Sequence, residues 1–235
     1  MLMEKQDHEW GCKHINYTED GTIKACVVTI EDLQCIAEKL TSSVLDTSWM
    51  LTMDIGTKRS YQYTARETAD ALVNIFRNVT DRNSLSAEFG EVMVSIGSTR
   101  ALELIFEHRA LPIAEIWKPQ KKQNEGFDFH TECKGDLINF GEAKYSGSIN
   151  PHGEAIPQVS RFLKEEKHLR DRVHLINLTG SKSIENLDSD NFGVVVAFSI
   201  NSKDTSSIMR NAIDSVRKSD LMNNSRMVYV VGVKC

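Results

Sequence analysis

Gly126-Phe127-Asp128-Phe129-His130-Thr131 and Leu137-Ile138-Asn139-Phe140-Gly141-Glu142-Ala143-Lys144-Tyr145, joined through Lys134-Gly135-Asp136, read as the two arms of one β-hairpin. The first arm alternates aromatic with polar residues, the pattern of a strand with one packed and one functional face, and places Asp128 and His130 on the same side. Period two on the second arm places Glu142 and Lys144 together, with the small Ala143 facing the other way. If Lys134, Gly135 and Asp136 form the loop, Cys133 pairs with Leu137 and, counting outward, Asp128 with Glu142. Opposed residues on antiparallel strands have Cβ atoms roughly 4.5–5.5 Å apart, near enough for two carboxylates to share a cation bound at about 2.0–2.1 Å. A slip of one residue would break that arrangement.

Two carboxylates so placed repel each other unless a divalent cation or a proton lies between them. Oxygen ligands point to Mg²⁺ or Mn²⁺. Lys144 projects into the same space, where its ammonium can polarise an attacking water or stabilise charge growing on a phosphate. An E-x-K on a strand is by itself equally an ordinary Glu/Lys pair on a solvated face. The preceding Asp128 and the apolar Phe127, Phe129, Ile138 and Phe140 favour a functional hairpin. His130, beside Asp128, reads as a supporting or structural partner more than as a ligand.

At 235 residues the chain can bury a full core, and its formal net charge of -5 argues against a protein that coats nucleic acid by bulk electrostatics. Positive charge nevertheless brackets the hairpin. Lys118, Lys121 and Lys122 precede it, and Arg161, Lys164, Lys167, Arg170 and Arg172 follow. Of these, Lys118, Lys121, Lys122 and Arg161 are the candidate nucleic-acid contacts; a solvated helix face is the alternative, since Glu165 and Glu166 interrupt the second group. The five cysteines, Cys12, Cys26, Cys35, Cys133 and Cys235, contain no C-x-x-C, which favours reduced thiols over a disulfide framework or a zinc site. No apolar run is long enough to span a membrane and the opening Met1–Asp7 lacks the apolar region of a signal peptide, so a soluble, cytoplasmic protein is expected. No G-x-x-x-x-G-K-[ST] loop occurs, so any ATP-driven step is left to a partner.

Working outward, a polar segment to about Gly21 precedes a strand at Ile23–Ile30, a helix over Glu31–Leu45 started by Thr29 and Asp32, and a helix over Ala65–Val79 with a Thr64/Glu67 capping box. A long helical pattern covers Leu85–Phe106 and carries Glu88 and Glu91; Gly90 permits close approach to a sheet and favours Glu91 as the one aimed at the hairpin. A short strand at Ile113–Trp117 and a polar loop lead to the hairpin. After it come a loop over Ser146–Pro157, a helix at Gln158–Leu169, a strand at Val173–Leu178, a loop over Thr179–Asp190, a buried strand at Phe192–Ile200, a helix at Thr205–Val216 and a last strand at Met227–Val233. The class is α/β, with a mixed central sheet flanked by helices. Residues 1–80 are expected to form an N-terminal α/β extension, a cover or partner-docking region, and residues 81–235 the domain that bears the site.

Helix with glutamate, strand, aspartate strand, ExK strand, helix is an order that resembles the PD-(D/E)XK nuclease superfamily over residues 85 to 170. Gln158-Val159-Ser160-Arg161-Phe162 is similar to the Q-x-x-x-Y element of its RecB-like members, with Phe162 in place of the tyrosine, and Phe127 stands where a proline usually precedes the aspartate. A narrower resemblance, in Gly90-Glu91, Trp117-Lys118, the Gly126–His130 segment and Gly141-Glu142-Ala143-Lys144, is to the HamA-like nucleases of Hachiman-type antiphage systems. The resemblance implies a restriction-endonuclease-like core, with Glu91, Asp128, Glu142 and Lys144 catalytic, Glu91 joining Asp128 and Glu142 as metal ligands, and Gln158 in support. It also implies a helicase partner and degradation of DNA during phage infection. The rival expectations are a catalytically silent nuclease-fold binding or regulatory subunit, and a metal-dependent hydrolase of RNA or nucleotides.

Overall fold

Gly193-Val194-Val195-Val196-Ala197-Phe198-Ser199-Ile200 is buried along its whole length, as a strand covered on both faces must be, and the sheet is built outward from it. The computed structural model of the protein describes residues 4–77, 85–118 and 126–234. Its strands are β1 (Glu4–Asp7), β2 (Cys12–Asp20), β3 (Ile23–Ile30), β4 (Arg109–Ala110), β5 (Phe129–Glu132), β6 (Ile138–Lys144), β7 (Gly193–Ile200) and β8 (Met227–Lys234). The helices are α1 (Leu33–Leu45), α2 (Ile55–Arg77), α3 (Ala87–Phe106), α4 (Ala114–Trp117), α5 (His152–Lys164), α6 (Lys167–Leu175), α7 (Ser181–Asp188), α8 (Thr205–Lys218) and α9 (Leu221–Asn224).

These strands form one sheet in the order β1-β2-β3-β8-β7-β6-β5-β4. The central four, β3, β8, β7 and β6, run parallel, and antiparallel neighbours extend the sheet at both edges. The protein is therefore α/β, with a mixed sheet flanked by helices, as expected. Its N-terminal strands enter the same sheet through β3, which pairs with β8. Helix α3 is buried on nearly every side and packs on β6, β3, β5 and β8, which makes it the central helix of the core. Helix α5 packs on β6 and β7, and α8 on β8 and β3.

Several local expectations are corrected. The polar segment before Gly21 is a hairpin, β1 with β2, whose polar side chains hid it. Helix α2 starts ten residues before the expected Ala65, because Asp54 Oδ1 accepts the N–H groups of Gly56 and Thr57 and caps it there; the expected end at Val79 lies outside the described residues. The expected strand at Ile113–Trp117 is the one-turn helix α4. The expected loops over Ser146–Pro157 and Thr179–Asp190 contain the start of α5 and all of α7. The expected strand at Val173–Leu178 belongs to α6 and the turns after it. There the buried set is His168, Asp171 and Leu175, a helical spacing, while Val173 and Ile176 are exposed. Among the described cysteines, Cys12 and Cys26 are buried fillers, Cys35 and Cys133 are half-buried, and none of the four is in a disulfide; Cys235 lies outside the described residues. No helix among the described residues is long and apolar enough to cross a membrane.

Candidate active site

The hairpin closes as its register requires. Asp136, at a left-handed φ of 55°, donates its N–H to Cys133 O at 3.0 Å, and Cys133 donates to Leu137 O at 3.0 Å. Outward from that turn Glu132 pairs with Ile138, Thr131 with Asn139, His130 with Phe140 and Phe129 with Gly141, the register expected from the sequence. The ladder gives out at Asp128, but the residue stays fixed: its N–H donates to Gly141 O at 2.8 Å and its Oδ2 accepts the Ala143 N–H at 2.7 Å. Asp128 thus stands beside Glu142, where β6 runs on past the start of β5. Phe129 covers Gly141 so closely that a Cβ there would come within 2.3 Å of the ring, which locks the strand that carries Asp128.

Glu142 is 1% exposed; its Oε2 finds no hydrogen bond in the protein, and its Oε1 faces the Lys144 ammonium. Its ion pair is with Lys144, whose Nζ stands 2.8 Å from Oε1. Burial, with repulsion from Asp128, holds the Glu142 carboxyl well above the usual carboxylate range. Burial likewise pushes Asp128 up to about 6, against the opposing pull of the Ala143 N–H and Lys144. For Lys144, burial would favour the neutral amine, but the charges of Glu142, Asp128 and Glu91 outweigh it and hold the ammonium charged.

Glu91 is exposed on α3, and its charge is among the causes that shift Asp128, Glu142 and Lys144. That influence favours Glu91 as the helical glutamate facing the hairpin. Ser86 caps α3 through the Phe89 N–H at 3.1 Å, and Gly90 lets the helix meet the end of β6: a Cβ at 90 would stand 2.1 Å from the ring of Tyr145.

A fourth carboxylate, Glu115, was not foreseen. Pro112 breaks the edge strand, α4 follows, and Trp117 Nε1 donates to Pro112 O at 2.9 Å across the turn. Ala114 N–H donates to Asp128 O at 2.9 Å, which straps α4 across the hairpin and puts Glu115 next to Asp128. Glu115 Oε2 is buried without a hydrogen-bond partner, and burial together with the Asp128 charge pushes the carboxyl up to about 8. The usable signal was an acidic residue three positions after a proline, a common helix start, which the alternation of Ile113, Glu115 and Trp117 masked.

The remaining expected residues fare differently. His130 is wholly buried, with Nε2 3.0 Å from Asp171 Oδ2, and its ring lies 5.3 Å from that of Trp117 and 5.1 Å from that of Phe140. It is a structural support. Lys118, expected as a nucleic-acid contact, is engaged inside the fold: its Nζ donates to Asp171 Oδ2 and to Phe127 O, each at 2.8 Å. Burial of Asp171 would raise its carboxyl, but His130 and Lys118 outweigh it and hold the group below its ordinary value. Gln158 is half-buried on α5 and makes no hydrogen bond to Lys144 or to the carboxylates. Arg161 is exposed on the same helix, 5.1 Å from the Phe162 ring. Lys121 and Lys122 lie outside the described residues. Of the later basic residues, Lys164 pairs with Asp220, Lys167 with Glu165 and Arg172 with Asp188, so much of that charge is locally balanced.

Among the described residues no three His, Cys, Asp or Glu side chains form a ready-made metal cage. The donor set still suits a hard divalent cation: Glu142 Oε2 and Glu115 Oε2 are buried carboxylate oxygens without hydrogen bonds, next to the anchored Asp128, while Glu142 Oε1 holds Lys144. Comparisons of the chain with protein-family models, with curated proteins and with solved structures find no match.

Proposed function

We propose that this protein is a divalent-cation-dependent nuclease that hydrolyses phosphodiester bonds of DNA. The supporting observation is the meeting of Asp128, Glu142 and Lys144 at one end of a hairpin, with Glu142 buried and its Oε2 unsatisfied by the protein. A buried carboxylate without hydrogen bonds is costly and persists where a ligand completes it. Asp128 and Glu142 would hold Mg²⁺ or Mn²⁺, with Glu91 reaching in from α3. A cation held there supplies Lewis acidity, lowering the pKa of a bound water and offsetting charge on the phosphate. The protein's own part is positional. The Ala143 N–H fixes the Asp128 carboxylate. Lys144, kept as an ammonium by the surrounding carboxylates, orients the attacking water and donates to the phosphate oxygens as charge grows on them. Asp171, His130 and Lys118 hold the first arm of the hairpin from behind. The resemblance to Hachiman-type nucleases extends the proposal to an antiphage effector that works beside a helicase and is located in the cytoplasm.

Two observations favour a rival. The closed Glu142–Lys144 ion pair and the absence of a ready-made cage among the described residues would suit a silent, nuclease-fold binding subunit. The full chain, alone and reconstituted with a helicase encoded beside it, separates the readings when incubated with DNA and RNA of one sequence in Mg²⁺ or EDTA. Cleavage of DNA in Mg²⁺ alone supports the proposal. Cleavage confined to RNA would make the protein a ribonuclease, and no cleavage by the complex would favour the silent subunit.

A further inference from the structure

We infer that Asp171 is a positioning residue of the site: from α6 it fixes the main chain on both sides of Asp128, through the Lys118 ammonium and the His130 ring, and so sets the rate of phosphodiester cleavage without touching substrate. The inference rests on the nuclease reading and deepens it. The hairpin itself creates the need for such a support. The ladder between β5 and β6 begins at Phe129 opposite Gly141, so Phe127 and Asp128 stand beyond its last pair. Asp128 donates its own N–H to Gly141 O at 2.8 Å and its carbonyl accepts the Ala114 N–H at 2.9 Å. The carbonyl of Phe127 is held by a side chain instead: Lys118 Nζ donates to it at 2.8 Å, and the same ammonium donates to Asp171 Oδ2 at 2.8 Å. Gly126 leaves room for that ammonium, since a Cβ there would stand 3.0 Å from Nζ.

Asp171 is buried and shares one oxygen, Oδ2, between Lys118 Nζ and His130 Nε2, the latter at 3.0 Å. Through these two it reaches the residue before Asp128 and the residue two after it. Helix α6 is in turn held in place. His174, about one turn beyond Asp171, has Nδ1 2.9 Å from Tyr61 Oη on α2, and its ring lies 5.1 Å from that of Trp117, the last residue of α4, which Lys118 caps. Removing the Asp171 charge leaves the half-buried Lys118 without its counter-ion and loosens its hold on the Phe127 carbonyl. The peptide that precedes Asp128 is then free to shift, and a displacement of about 1 Å at a reacting centre costs about 10²-fold in rate.

The test reads the place of Asp128 both without and with chemistry. Asp128 Oδ2 accepts the Ala143 N–H at 2.7 Å, a charge-assisted bond whose amide proton resonance reports where the carboxylate stands. The full-length wild type, Asp171→Asn, Asp171→Glu, Lys118→Met and Asp188→Asn are compared by that resonance in cation-free buffer. They are compared again by kcat and KM for DNA cleavage in Mg²⁺, in whichever form cuts DNA, the chain alone or reconstituted with the helicase. Asp171→Asn and Lys118→Met are expected to move the Ala143 proton upfield and to lower kcat about 10²-fold, with KM held within about twofold; Asp171→Glu is expected to recover part of both. Asp188→Asn, which removes the surface partner of Arg172 on the same helix, is expected to change neither. An unmoved resonance or an undiminished kcat in folded Asp171→Asn overturns the inference and leaves the nuclease reading standing. No cleavage by either wild-type form overturns the nuclease reading and the rate claim with it, while the resonance still decides whether Asp171 places Asp128. Lys118→Met decides in the same way if Asp171→Asn misfolds.

Discussion

Adding one methyl group at Gly90 should impair the site with little cost to the fold. The Cβ of Gly90→Ala would stand 2.1, 2.2 and 2.5 Å from Cδ1, Cγ and Cε1 of Tyr145. Carbon atoms settle at about 3.5–4.0 Å, so ring and helix must part by about 1.5 Å. Overpacking of this kind costs roughly 1–3 kcal/mol, while alanine returns about 0.8–1.0 kcal/mol of helix propensity, leaving a net destabilisation of about 0–2 kcal/mol. Catalysis is less forgiving. Glu91 is the next residue on α3, and a misplacement of about 1 Å at a catalytic centre costs about 10²-fold. Urea unfolding measures the first quantity, and the initial rate of Mg²⁺-dependent DNA cleavage the second. In Gly90→Ala/Tyr145→Ala the clash is gone, so the double-mutant cycle should show a stability coupling of about 1 kcal/mol or more. A Gly90→Ala protein stabilised by the whole propensity gain, with undiminished cleavage, would refute the packing of Tyr145 on Gly90 and the placement of Glu91 that follows from it.

Two further outcomes are expected. Asp128 (about 6), Glu115 (about 8) and Glu142 hold protons in the fold that the unfolded chain has lost, so cation-free stability should fall as pH rises from about 4 to about 8. Mg²⁺ binds the ionised carboxylates and should therefore raise the melting temperature more at pH 8 than at pH 5; an equal or smaller rise at pH 8 contradicts the carboxylate site. Replacing Glu91 by glutamine should lower Mg²⁺ affinity and cleavage about 10- to 100-fold, and replacing Glu88 should change neither more than about twofold. Equal effects of the two, read from Mg²⁺-dependent rates, would remove Glu91 from the site.

The hairpin was legible because a strand has a short, strict period and the three-residue turn left one register that paired Asp128 with Glu142. Phe127, Phe129 and Phe140 marked its packed positions, and all three are buried. Gly90 was legible as a point of close approach, although its contact, Tyr145, was not. The misreadings came where a short element carries too few residues to declare a period. Ile113-Ala114-Glu115-Ile116-Trp117 alternates as a strand would, yet Pro112 and the bond from Ala114 to Asp128 make it a helical turn, and Glu115 was missed with it. In α6 and the turn that ends it, Val173 and Ile176 imitate strand positions and are exposed, while the buried Asp171 reaches Lys118 and His130 from far along the chain. No local pattern carries that partnership, and so Lys118 read as a free cation. The edge hairpin of β1 and β2 was hidden because an edge strand with a polar outer face lacks the apolar run that marks a buried one.

Lys144→Ala tests the central claim most directly, with Mg²⁺-dependent DNA cleavage and Mn²⁺ binding measured on the same preparation. Lys144 is half-buried at the end of β6, and its removal takes away the ammonium but none of the carboxylate ligands. Cleavage should fall by about 10²–10³-fold, the usual loss when a transition-state donor is removed. The folded state and Mn²⁺ binding should persist. Full cleavage by Lys144→Ala would contradict the account.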